Sequence, residues 1–212
     1  MSDEPELDVD ELRAELDQIK DAMGIQERYD GAAEQWLLFG FLVALASGIS
    51  QYVFLADLPG YWYAVVWIGL MFGGGALGIR YLFGDNSGEW FATGRNKPGL
   101  FFIFGATYLA TIPIQLIAQS YVGELSDDAE TMFALAIILV LVGVAYVVMG
   151  NVLKAYYIRA RDRYAFYVGG LLMAGLGTAI PFVDFLQRWG YATMGAIYLV
   201  YAVATYAVLS RT

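Results

Sequence analysis

Residues 131–153, TMFALAIILVLVGVAYVVMGNVL, form a run of 23 positions without a charged side chain. An α-helix rises about 1.5 Å per residue, so a run of this length matches the roughly 30 Å hydrocarbon thickness of a bilayer. A helix apolar on every side has no polar face to offer water, which makes this segment a membrane span. Glu124, Asp127, Asp128 and Glu130 precede it, whereas Lys154, Arg159, Arg161 and Arg163 follow. Basic residues collect on the cytoplasmic side of membrane proteins, so the C-terminal end of this span is expected to face the cytoplasm.

Further apolar stretches predict spans at 36–55, 61–83, 99–119, 164–186 and 189–209. With 131–153 they make a six-helix transmembrane domain over residues 34–212. The fold class is therefore an all-α, multi-pass membrane protein, in keeping with 59% hydrophobic residues. Threading six spans places 11 of the 12 Lys and Arg residues on one side and leaves only Arg188 on the other. That asymmetry predicts a cell-membrane protein with both termini in the cytoplasm.

The chain has no Cys and no His. Thiolate metal sites, disulfides, thiol nucleophiles and imidazole bases are thereby excluded, and no paired carboxylates or Ser-Lys pair stands within the spans. No Lys lies mid-span to form a Schiff base. A non-enzyme without cofactor, metal or catalytic residues is the expectation. The net charge is −9, and 12 of the 21 acidic residues fall in the first 34 positions. Such a surface repels nucleic acid, and acid-rich, lysine-poor exposed parts resemble proteins that work in molar salt.

Residues 1–33 form an acidic tail expected on the cytoplasmic side. Within it Val9, Leu12, Leu16, Ile19 and Met23 fall at a 3-4-3-4 spacing, which puts all five on one stripe of an amphipathic helix over 9–23. The stripe is narrow enough for a coiled-coil seam, although it covers fewer heptads than a coiled coil normally needs. Either it joins a second copy or a protein partner, or it packs on the protein's own loops. Its polar face is acidic, which argues against lying on a lipid surface.

Small residues mark expected helix contacts: Gly40, Ala44 and Gly48 at intervals of four in the first span, and the pair Gly74 and Gly78 in the second. Short strings in the odd-numbered spans also align, Ser47-Gly48-Ile49-Ser50 with Ala110-Thr111-Ile112-Pro113 and Thr178-Ala179-Ile180-Pro181. They suggest three two-helix hairpins, with convergent small-residue packing as the plainer explanation. Each proline removes a backbone donor and exposes an upstream carbonyl, which inside a membrane needs a polar partner. Gln51, Thr111, Pro113, Gln115, Thr178 and Pro181 are accordingly the candidate solute site. The favoured function is a non-enzymatic scaffold, sensor or accessory subunit; the alternative is a small channel or transporter for a neutral or weakly polar solute.

Overall fold

The computed structural model describes residues 15, 19, 32–83, 100–122, 126–155 and 158–211, and every described element is helical. Helix α1 runs over Ala32–Leu55 and α2 over Tyr61–Ile68. The latter continues through a π-helical turn, Gly69–Gly74, into α3, Gly75–Phe83. Then come α4 (Leu100–Val122), α5 (Asp127–Ala155) and α6 (Ala160–Ala179), which tightens into a 3-10 turn at Ile180–Phe182. Helix α7, Asp184–Ser210, closes the chain. Five described helical stretches are long and apolar enough to cross a bilayer: Ala33–Leu55, Tyr61–Gly78, Asp127–Ala155, Ala160–Phe182 and Asp184–Ser210. The protein is therefore a helical, membrane-embedded one.

Local chemistry explains the breaks. Helix α1 ends with Asp57 in the left-handed region at φ 49°. There the Leu58 amide donates to the Val53 carbonyl at 3.0 Å and the Asp57 amide to that of Phe54 at 3.3 Å. This is a Schellman ending, which satisfies carbonyls that the helix leaves unpaired. The π turn falls where Gly69, Gly73 and Gly74 lower helix propensity. The expected fifth span, drawn to residue 186, instead stops at the 3-10 turn containing Pro181. Val183 then adopts an extended conformation, so the chain reverses before Asp184 and not at Arg188.

Two antiparallel helix pairs make the centre of the molecule, α1 with α7 and α5 with α6. Both seams are built on small residues seven apart. A Cβ placed on Gly40 would collide with that of Ala202, and one on Gly195 would lie 2.8 Å from that of Ser47. In the second pair a Cβ on Gly143 would lie 2.6 Å from the Gly170 carbonyl oxygen, and one on Gly177 would lie 2.7 Å from that of Ala136. Seven residues are close to two full turns, so each seam keeps the same stripe in contact along antiparallel neighbours. Inside a bilayer lipid tails are as apolar as leucine, so close backbone approach supplies the attraction that water-driven burial cannot.

Trp36 joins the two pairs. Its ring centroid lies 5.3 Å from Phe166 on α6, 5.8 Å from Tyr146 on α5 and 5.5 Å from Tyr201 on α7. The Tyr146 and Tyr198 hydroxyls are hydrogen-bonded to each other, and the Tyr201 hydroxyl donates to the Ala165 carbonyl. The polar tips of these rings are thus hydrogen-bonded within the protein itself. Helices α2 and α3 pack on α1, and α4 packs on α5. The tightest pairings therefore join helices from different ones of the three hairpins that the sequence suggests.

Candidate functional site

Gln51 is the predicted site residue whose environment is most fully built. Its side chain is 5% exposed and enters α7 where Trp189 breaks the helix with φ −118° and ψ 22°. Nε2 donates to the Arg188 carbonyl at 2.9 Å, and the Ala192 backbone N–H donates to Oε1 at 3.0 Å. Arg188 and Ala192 are four apart, the spacing of an intrahelical hydrogen bond. The amide of Gln51 therefore splices the broken α7 ladder, supplying one donor and one acceptor in place of the missing bond. A ring stack of Tyr63 on Tyr191, with centroids 5.4 Å apart, lies beside it, and Trp67 Nε1 donates to Ser50 Oγ at 3.1 Å.

The remaining candidates lie on other elements. Thr111 is buried on α4, Gln115 is half-buried and Pro113 is exposed. Thr178 is exposed on α6 and its hydroxyl donates to the Ala174 carbonyl at 2.8 Å. Exposed Pro181 and buried Gly177 border a groove of about 260 Å³ whose other walls include Ile114 of α4 and Ile137 of α5. Every residue lining that groove is apolar. The structure brings Pro181 near the proline-containing helix α4 but puts Gln51 at the α1–α7 interface, so the six residues are divided between two regions.

Among the packing residues, Gly40 and Ala44 border the α1–α7 seam: the Ala44 carbonyl oxygen would lie 3.3 Å from a Cβ on Gly195. Gly48 faces open space, so the expected run of three ends at Ala44. Gly74 receives the side chain of Leu42 and Gly78 that of Leu38; a Cβ added at these glycines would lie 2.8 and 2.5 Å from the respective leucine methyls. Of the amphipathic stripe, Ile19 is described, helical and 53% exposed. Val9, Leu12, Leu16 and Met23 lie outside the described residues.

Two features escape a reading based on intervals of four. One is the seven-residue series Ala136, Gly143 and Gly150 on α5 with Gly170 and Gly177 on α6, a pattern visible in the sequence. The other is Asp162, 2% exposed in the first turn of α6. Its carboxylate accepts from Arg159 Nε at 3.3 Å and Nη2 at 3.4 Å. A carboxylate suits a helix N-terminus, and this two-point ion pair compensates its burial. No family model, curated protein or solved structure matches the chain.

Proposed function

We propose that this protein is a non-enzymatic membrane scaffold or accessory subunit with six spans, both termini in the cytoplasm of the cell and a docking element in its N-terminal tail. Helix α4, Leu100–Val122, is 23 residues long and supplies the sixth span of this reading. Its acidic tail is suited to a high-salt cytoplasm. The observation that carries the proposal is the use made of the interior polar groups. Gln51, the strongest solute-site candidate, has both ends of its amide engaged by the α7 backbone, and the groove beside Pro181 has an apolar lining. Such an interior favours holding helices together over carrying a polar solute.

In this reading Ile19, exposed on its helix, belongs to the stripe that recruits a partner or a second copy. Leaving large apolar side chains in water forfeits roughly 1.5–3 kcal/mol apiece. Leu16→Asp would place a charge at the centre of the stripe. Crosslinking and pull-down from membranes should show the wild type with a partner or a second copy and Leu16→Asp without it, at equal membrane insertion. Identical partner sets and oligomer sizes would refute the docking role. Flux of a neutral solute into vesicles containing the protein would replace the scaffold reading with a transporter.

A further inference from the structure

At the end of the molecule where α6 begins and α7 finishes lies a groove of about 320 Å³ lined by Arg161, Ala207, Val208 and Arg211. Arg161 stands in the first turn of α6, and Arg211 directly follows the last residue of α7, Ser210. Both arginines are exposed. Among the described residues neither has an ion-pair partner; the neighbouring carboxylate, Asp162, is held by Arg159. Two guanidinium groups thus flank an apolar floor formed by the last turn of α7.

We infer that this groove binds the phosphate headgroup of an anionic phospholipid, with the start of an acyl chain on Ala207 and Val208. Guanidinium groups offer forked donors matched to phosphate oxygens, and they are more weakly hydrated than an ammonium. A basic residue at the membrane surface also gains from the anionic leaflet. The whole chain carries a net charge of −9, so attraction of an anion here rests on the local pair of arginines and not on the overall field. The floor decides between a lipid and a free anion. Ala207 and Val208 lie in the last turn of an apolar helix of 27 residues, a floor that suits an acyl chain and offers nothing to inorganic phosphate. The inference rests on the membrane-embedded fold and is independent of the N-terminal docking role.

The test uses the full chain reconstituted in bilayers of mixed phosphatidylglycerol and phosphatidylcholine, with lipids retained after detergent extraction counted by native mass spectrometry. Wild type is expected to retain phosphatidylglycerol in preference to phosphatidylcholine. The double variant Arg161→Gln, Arg211→Gln should lower that preference by about tenfold or more. Val208→Trp, which fills the floor and keeps both arginines, should lower it too, and it decides the matter if the double variant does not fold. Arg80→Gln, at an exposed position on α3, should change nothing. Equal retention of the two lipids, an equal loss with Arg80→Gln, or displacement of phosphatidylglycerol by millimolar inorganic phosphate would each overturn the assignment. Partner capture is scored separately with Leu16→Asp, so the two proposals fail independently.

Discussion

A single side chain shows how far residue identity and residue role can separate. A glutamine within an apolar span has to satisfy its amide or be expelled, and Gln51 satisfies it on a helix 137 positions away. Gln51→Leu would leave the Arg188 carbonyl and the Ala192 amide without that partner. Arg188 is exposed and Ala192 half-buried, so water can take over part of the lost bonding and the variant should lose about 1–3 kcal/mol of stability. Gln51→Glu keeps the acceptor for Ala192 but turns a carboxylate oxygen toward the Arg188 carbonyl, and it should also destabilise. Thermal unfolding in detergent measures both, and an unchanged Gln51→Leu would mean that the kink at Trp189 holds without the splice. The polarity of Gln51 was legible in the sequence; its partner was not, because a lone polar residue in a span is equally suited to a solute and to a broken helix.

Helix pairing depends on what each small residue meets. Gly170 approaches backbone, with the Gly143 carbonyl oxygen 2.6 Å from an added Cβ. Gly78 meets only the tip of the Leu38 side chain, which can change rotamer, and Gly73 meets nothing within 4 Å. The three sites therefore predict a graded series. Gly170→Ala should cost about 1–3 kcal/mol by forcing α5 and α6 apart, Gly78→Ala less, and Gly73→Ala nothing or a slight gain from its better helix propensity. Resistance to denaturation by sodium dodecyl sulfate ranks them, and equal losses at all three would refute the assigned seams. The glycines are plain in the sequence, and so is their spacing of seven on α5 and α6. What the spacing leaves open is which stripe finds which helix, since Gly69 and Gly73 recur at an equally suitable interval and face open space.

At the scale of the whole molecule, the proposed threading rests on charge. Ser126 opens the segment before α5 and is exposed, next to the acidic residues Asp127 and Asp128. The proposed six-span threading puts 11 of the 12 Lys and Arg residues on the cytoplasmic side, so Ser126→Cys should react with an impermeant thiol reagent applied to intact cells and Ser2→Cys should not. The chain's lack of native Cys makes each signal unambiguous, and labelling of Ser2→Cys would reverse the orientation. The same end-to-end arrangement puts Arg161 beside Arg211 in one groove, although 50 positions separate them.

The sequence alone determined that the chain forms apolar helices and enters a membrane, because an uncharged run the length of a bilayer has few other solutions and because hydrogen bonding within a helix needs no distant partner. The Asp57 turn is local chemistry acting on its own neighbours, whereas the stop at Pro181 falls inside the span that apolarity alone carries to residue 186. Tertiary structure decided the pairing of α1 with α7 and α5 with α6, the bridge at Trp36, the burial of Asp162 and the division of the candidate solute residues. These are outcomes of competition among many similar apolar faces. In lipid that competition is settled by close packing and by the satisfaction of a few polar groups, neither of which is encoded in a one-dimensional hydrophobic pattern.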